Sequence, residues 1–94
     1  MSVLKTRFSG KIQKDIKRLE KRGYDMGKFI DAVKLLVRNE TMPASYKDHP
    51  LKGDFTGLRE CHVAPDWLLV YRIEPREDML ILTRMGTHAD LFKK

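Results

Sequence analysis

Three apolar runs separated by short turns fill the second half of the chain, and this pattern limits the possible folds more than any other feature. The runs span about 58–63, 67–74 and 78–85, and they are rich in the aliphatic, aromatic and β-branched residues that favour strands. Proline and charged residues occupy the turns at 64–66 and 74–77. Connections this short join neighbouring antiparallel strands, so the pattern predicts a β-meander.

The middle run indicates how this sheet packs. In a strand, Trp67, Leu69 and Tyr71 fall on one face, and Leu68 and Val70 fall on the other. Neither face is cleanly polar. We therefore expect one face to pack on helices and the other to line a partly sheltered concavity.

The first half of the chain predicts a short strand followed by two helices. The strand covers Leu4 to Phe8, and Ser9 is a good N-cap for a helix that runs to about Arg22, before Gly23. This helix has an apolar stripe at i, i+4 and i+7, formed by Ile12, Ile16 and Leu19.

The second helix begins after a possible cap at Asp25 and ends near Asn39. Its apolar face is formed by Phe29, Ile30, Val33, Leu36 and Val37. Because the turn between the helices is short, we expect an antiparallel helical hairpin. Residues 40–57 contain breaking prolines and glycines and are predicted to be irregular, as in a functional or mobile loop.

These elements predict a single domain, residues 1–94, of the α+β class. The expected order is β-α-α-β-β-β, in two layers, with an antiparallel sheet packed on the helical hairpin. A chain of 94 residues has no room for a second core.

The chain is basic, with a net charge of +6 and an isoelectric point near 9.6. This favours a polyanion such as nucleic acid as the partner, although an excess of charge also serves solubility. The single cysteine, Cys61, excludes an internal disulfide and fits a reducing cytosol. No signal peptide and no apolar stretch long enough for a bilayer is present, so we expect a cytoplasmic protein without a membrane partner.

Polar groups near the strand ends indicate acid–base chemistry. His62 ends one strand beside Asp66, and His88 follows the strand that contains Arg84. A base, a cation and an acid together can cleave a phosphodiester through its 2′-hydroxyl without a metal. No metal or cofactor is predicted, since no histidine pair has i, i+4 spacing and Cys61 has no partner.

Each of these residues also has a purely structural interpretation. A histidine at a strand end is commonly a solvated bystander, and Arg84 can pair with Asp66 or Glu60. By propensity alone, Trp67 belongs to the core.

Three segments together are highly specific in their sequence: 46–53 (YKDHPLKG), 59–71 (RECHVAPDWLLVY) and 83–92 (TRMGTHADLF). In them the chain closely resembles the YafQ-type toxins of bacterial toxin–antitoxin modules, within the RelE/ParE superfamily. The likeness covers essentially the whole chain. It implies a RelE-like fold and a ribosome-dependent endoribonuclease that cuts mRNA in the decoding site.

The resemblance also implies a set of functional residues, each of which holds the family's residue type: His49, His62, Asp66, Trp67, Arg84, His88 and Phe92. By this analogy His88 is the general acid, and Asp66 or His49 shares the role of base or of orienting group. Arg84 would stabilise the transition state, while Trp67 and Phe92 would shape the site or stack on nucleotides.

The implied partners are the ribosome with its mRNA and a small cognate antitoxin whose C-terminal segment wraps the toxin. Two alternatives remain from the residues alone. One is a non-enzymatic inhibitor of DNA gyrase, as in ParE-like relatives of the same fold. The other is a plain RNA-binding module, favoured by the lysines of the first helix.

Overall fold

A five-stranded sheet with helices packed against it forms the fold of residues 3–92, the part of the chain that the computed structural model describes. The elements follow in the order β1 (Lys5–Phe8), α1 (Gly10–Lys21), α2 (Met26–Val37), β2 (His49–Pro50), β3 (Arg59–Ala64), β4 (Trp67–Glu74), β5 (Met79–Gly86) and α3 (His88–Leu91). Single 3₁₀ turns lie at Ala44–Tyr46, Gly53–Phe55 and Pro75–Glu77. The predicted α+β class is confirmed.

Helix α1 begins where the cap at Ser9 predicts. The Ser9 hydroxyl accepts a hydrogen bond from the amide of Ile12 at 3.0 Å and donates one to the carbonyl of Thr83 on β5 at 2.7 Å. The predicted apolar stripe faces inward, with Ile12 and Leu19 fully buried. Gly23 follows the helix with a φ of +84°, the left-handed conformation that glycine adopts without strain.

Helix α2 is capped by Asp25, whose side chain accepts a hydrogen bond from the amide of Gly27 at 3.0 Å. The prediction of its apolar face was partly wrong. Phe29 and Leu36 are buried, but Ile30 is 51% exposed and Ala32 takes the inward position instead. Residues 29, 32 and 36 follow the i, i+3, i+7 spacing, and Ile30 lies one step off this stripe.

The sheet has the strand order β1-β5-β4-β3-β2. The predicted meander of β3, β4 and β5 is antiparallel throughout. The expectation of a wholly antiparallel sheet was wrong, because β1 pairs parallel to β5, with Phe8 opposite Leu82. Two helices separate β1 from the rest of the sheet, and a crossover of that length lets a strand return in either direction.

The segment 40–57 is less irregular than predicted. Its residues His49 and Pro50 form the short edge strand β2, which pairs antiparallel with β3 and places His49 opposite Glu60. A proline is tolerated there because the strand lies at the edge of the sheet. This pairing makes His49, which was predicted to lie in a loop, part of the sheet.

The core lies between one face of the sheet and the helices. Helix α1 packs mainly on β5 and α2 on β3, and the face they cover is the one with Trp67, Leu69 and Tyr71. The prediction that one face of the sheet packs on helices is confirmed. Leu68 and Val70 are also buried but lie outside this core cluster. Within residues 3–92, no helix combines the length and apolar character needed to cross a membrane.

Candidate active site

The register of four adjacent strands places the candidate residues in rows across the sheet. His49 lies opposite Glu60, Glu60 opposite Val70, and Val70 opposite Arg84. His62 lies opposite Leu68 in the next row on the same face of β3. Side chains of directly opposed residues share a face of the sheet, so distant parts of the sequence meet here.

His88 is held by Asp66. The Asp66 carboxylate accepts a hydrogen bond from the backbone amide of His88 at 3.2 Å and lies 3.0 Å from its ring Nδ1. These hydrogen bonds from His88 lower the pKa of Asp66 below its usual value of 3.8. The His88 side chain itself is 60% exposed. The arrangement leaves Nε2 as the ring nitrogen of His88 that can act on a ligand.

The rings of His62, His88 and Phe92 lie next to one another in the site. The ring centroid of His88 lies 6.4 Å from that of His62 and 6.1 Å from that of Phe92. Phe92 in turn meets the partly exposed Phe55 edge-on, with centroids 5.3 Å apart. Three of the predicted site residues therefore line one continuous surface.

His49 and His62 converge on a residue that the sequence did not single out, Glu60. The Nε2 atom of His49 lies 3.2 Å from Oε1 of Glu60, and Nε2 of His62 lies 3.8 Å from the same oxygen. Glu60 is only 5% exposed. Its position two residues before His62 in a strand was the available signal, because such residues share a face.

These three residues could also hold a metal ion, since their ligand atoms all lie within 4.8 Å of one another. Helical spacing does not reveal this group, because the pairing of β2 with β3 brings His49 to the other two residues.

Arg84 pairs with an acid that was not expected. Its Nε and Nη2 atoms donate hydrogen bonds to the Asp15 carboxylate on α1 at 2.8 and 3.2 Å, so the alternative pairing with Asp66 or Glu60 was wrong. Arg84 is partly exposed, and the hydrogen bonds to Asp15 raise the pKa of its guanidinium above its usual value. Within the part of the chain that the structure describes, its Nη1 has no hydrogen-bond partner.

Asp15 is buried and makes two further hydrogen bonds, accepting from the amide of Met85 at 2.9 Å and from Arg18 at 2.9 Å. Burial alone would raise the pKa of this carboxyl, but the donors from Arg84, Met85 and Arg18 outweigh it and lower the pKa below 3.8. Asp15 lies on the buried face of α1, together with Ile12 and Leu19. Its spacing from Ile12 and Leu19 places it on the buried stripe.

A second carboxylate fixes α3, which carries His88. Asp90 and Thr87 form a reciprocal capping box, and Arg22 donates two hydrogen bonds to Asp90 at 2.9 and 3.2 Å. Gly86 allows α3 to approach the sheet, because a Cβ at this position would come within 2.9 Å of the Asp90 side chain. Position 86 therefore requires glycine.

A groove of about 190 Å³ connects Arg84 with the aromatic rings. Arg84 and Lys11 supply positive charge, and Phe55 and Phe92 supply apolar rings. A larger hollow of about 360 Å³ lies beside His62, next to the loop that contains Tyr46. Cations beside aromatic rings suit the phosphates and bases of a nucleic acid strand.

Trp67 does not line this surface. It is 3% exposed and meets Tyr24 edge-on in the core, with ring centroids 5.0 Å apart. The expectation that it stacks on nucleotides was wrong in this structure. Trp67 lies in the core, as its residue type alone predicted.

Comparisons with known proteins agree with this architecture. A family described as "Bacterial toxin of type II toxin-antitoxin system, YafQ" matches residues 4–93. The mRNA interferase toxin YafQ of Escherichia coli K12 is 45% identical over 86 residues, which cover 90% of this chain and 91% of that protein.

Solved structures match equally well. The crystal structure of the E. coli DinJ–YafQ complex contains a chain that is 42% identical, with a TM-score of 0.86 and coverage of 95% of this chain and 98% of that chain. A metal-bound toxin from Helicobacter pylori is 44% identical, with a TM-score of 0.89 and coverage of 95% and 99%. The match of sequence and fold over nearly the whole length shows that the chain belongs to the YafQ family of toxins of type II toxin–antitoxin systems.

Proposed function

We propose that this toxin is a ribosome-dependent endoribonuclease that cleaves mRNA by metal-independent acid–base chemistry and thereby arrests translation. The observation that carries the proposal is the exposed His88 ring, held by Asp66 and 6.4 Å from the ring of His62, beside a cationic groove. The name of the E. coli relative, an mRNA interferase, supports the substrate class.

His88 is the proposed general acid. When its ring is doubly protonated, Nδ1–H donates to Asp66 and Nε2–H faces the ligand side. A carboxylate at one nitrogen stabilises the imidazolium and fixes the orientation of the ring. His88 would then deliver the Nε2 proton to the departing 5′-oxygen, and Asp66 would be the orienting group rather than the base.

The proposed base lies in the cluster of His49, Glu60 and His62. The carboxylate of Glu60 lies within 3.8 Å of Nε2 of both imidazoles, so a proton taken from the 2′-hydroxyl by one of them can be shared with Glu60. The ring centroids of His62 and His88 lie 6.4 Å apart, so one phosphate bound against both rings would meet the proposed base and the proposed acid together. This geometry suits displacement in line with the leaving group.

Arg84 would stabilise the charge that develops on the phosphate. Two of its donors are bound to Asp15, and this fixes the plane of the guanidinium while Nη1 remains available. A cation that is already oriented loses little entropy when the transition state forms. Phe92, between His88 and the groove, would stack on a nucleotide base.

We also propose a cognate antitoxin as the protein partner. The family is that of type II toxin–antitoxin toxins, and the E. coli relative was solved in complex with DinJ. An acidic antitoxin segment would complement the net charge of +6 and would cover the exposed catalytic groups. Because the ribosome and the antitoxin are the proposed partners, we expect the toxin to act in the cytoplasm.

Mapping of mRNA ends in a purified translation system tests the proposal. Wild-type toxin should produce defined cleavage ends on mRNA when ribosomes are present. It should produce few or none on naked mRNA. Saturable binding without new ends would indicate a plain RNA-binding module. Inhibition of gyrase supercoiling without RNA cleavage would indicate the ParE-like alternative, and either result would overturn the nuclease proposal.

A further inference from the structure

A cluster of three polar side chains ties the segment before β2 to the sheet. Asp48 directly precedes His49, and its carboxylate accepts a hydrogen bond from the hydroxyl of Tyr71 on β4 at 2.5 Å. Arg59 on β3 donates to the same carboxylate from Nε at 3.4 Å and from Nη2 at 3.3 Å. From this geometry we infer that Asp48 is a positioning residue, which holds the ring of His49 in the candidate site.

The cluster and the site lie on opposite faces of the sheet. Tyr71 belongs to the core cluster and is 1% exposed, and Arg59 is paired directly with it across β3 and β4. His49 pairs with Glu60, the residue after Arg59, and successive residues of a strand face opposite sides. Asp48 is therefore fixed on the core side, and the next residue, His49, is directed to the side of the site.

Strand β2 is short, so few hydrogen bonds of the sheet can hold it. It consists of His49 and Pro50, and proline has no amide hydrogen to donate. On the other side of Asp48, Lys47 has a φ of 49°, in the left-handed region that residues other than glycine rarely adopt. Such a conformation persists where the surrounding contacts enforce it. The hydrogen bonds to Asp48 act between these two points of the chain.

The chemistry of the three groups suits a lasting anchor. Burial and the hydrogen bond to Asp48 raise the pKa of Tyr71, so its hydroxyl remains a donor at neutral pH. Arg59 is a permanent cation, and hydrogen bonds to a carboxylate are stronger than those between neutral groups. A buried hydroxyl that loses its acceptor is costly, and this opposes release of Asp48 from Tyr71.

The anchor should affect catalysis through His49, and this part of the inference rests on the proposed function. The Nε2 atom of His49 lies 3.2 Å from Oε1 of Glu60, in the cluster proposed to supply the base. Tyr71 is buried in the core and cannot contact RNA. A displacement of about 1 Å in a catalytic group can lower a rate by about 100-fold. Release of Asp48 should therefore lower kcat and leave KM nearly unchanged.

Nuclear magnetic resonance of the histidine rings tests the positioning without RNA. Tyr71→Phe removes one hydroxyl and keeps the core ring, and Asp48→Ala removes the acceptor. Both changes should shift or broaden the ring signal of His49, while the signal of His88 keeps its wild-type position. Asp54→Ala is the matched control, because Asp54 is exposed, lies in the same segment and makes no side-chain hydrogen bond within the described part of the chain. An unmoved His49 signal in both anchor variants would overturn the inference.

A double-mutant cycle on ribosome-bound mRNA tests the link to catalysis. Asp48→Ala should lower kcat by about 10- to 100-fold in the wild-type background. Asp48→Asn keeps an oxygen acceptor for Tyr71 and should lower kcat less. In the His49→Ala background, Asp48→Ala should change kcat by less than about twofold, because the residue that it positions is absent.

Circular dichroism and thermal unfolding show whether each variant is folded, and Tyr71→Phe keeps the test valid if Asp48→Ala does not fold. An equal loss of kcat with and without His49 would show that Asp48 does not act through this histidine, and would overturn the inference. If the His49 signal moves but no toxin cleaves RNA under any condition, the nuclease proposal fails while the positioning of His49 by Asp48 stands.

Discussion

The carboxylate of Asp15 on α1 receives two hydrogen bonds from the guanidinium of Arg84 on β5, at 2.8 and 3.2 Å. The two residues are 69 positions apart in the sequence. Because the Met85 amide also donates to Asp15, this buried carboxylate ties the first helix to the last strand at the edge of the proposed site.

We expect Asp15→Ala to destabilise the protein strongly. The change leaves the amide of Met85 and the guanidinium of Arg84 without their acceptor, and breaking a buried ion pair costs about 3–5 kcal/mol. Urea unfolding would measure the loss. Asp31→Ala on the exposed side of α2 is the control and should change the free energy of unfolding by less than about 0.5 kcal/mol. Equal effects of the two variants would show that the Asp15 contacts contribute no net stability.

Stability should fall as the pH decreases below about 4. Arg22 and Thr87 hold the pKa of Asp90 below its usual value, and the pKa of Asp15 is lowered as well. A carboxyl with a lowered folded-state pKa contributes stability above its unfolded value of 3.8, and this contribution is lost as the pH falls through the folded value. Thermal melts from pH 7 to pH 2 would show the loss. Asp90→Asn should have a smaller dependence on pH than wild type, and an identical slope would contradict this assignment.

His88→Ala should abolish most cleavage while leaving the fold intact. General acid catalysis typically contributes about 10²–10⁴-fold to a rate, and an exposed side chain contributes little to packing. Single-turnover cleavage of ribosome-bound mRNA would measure the rate, and thermal unfolding would report on the fold. Lys28→Ala on α2, far along the chain from the site residues, serves as the control. Cleavage by His88→Ala at the wild-type rate would exclude His88 as the acid.

Asp66→Asn should reduce the rate less than His88→Ala does. The amide can still accept a hydrogen bond from His88, but it carries no charge to stabilise the imidazolium. Thermal unfolding separates this role from a structural one, since Asp66→Asn should keep the wild-type melting temperature while its cleavage rate falls. A rate that falls only in proportion to the folded fraction would indicate that Asp66 only maintains the local fold.

Phe92→Ala should weaken substrate binding more than it slows chemistry. Stacking of a base on an aromatic ring contributes about 1–3 kcal/mol, and this contribution is lost from the ground-state complex. The expected result is a raised KM for ribosome-bound mRNA with a smaller change in kcat. Phe92→Tyr keeps the ring and should restore binding, whereas equal loss in both variants would argue against stacking.

Local patterns predicted the elements well. The N-caps at Ser9 and Asp25 are in place, and the third and fourth strands begin within one residue of the predicted positions. The turns at 64–66 and 74–77 also form as predicted, with Asp78 in the left-handed conformation after the second of them. These features depend on neighbours in the sequence, and side-chain chemistry decides them locally.

Pairings between distant segments were not predictable in this way. The sequence did not indicate that β1 would run parallel to β5, or that His49 and Pro50 would add a strand. It placed Arg84 near the wrong acids, because its true partner lies on the first helix. Each of these errors concerns a contact across many residues, which depends on how the layers pack.

By itself the sequence determined the α+β class, the meander, the basic character and, through its resemblance to a family, the residues of the candidate site. Only the tertiary structure decided that Glu60 lies between His49 and His62, that Asp15 holds Arg84, and that Trp67 belongs to the core. The physical reason is that periodicity assigns a side chain to a face of its own element. The register between strands and the packing of helices then decide which other side chains it meets.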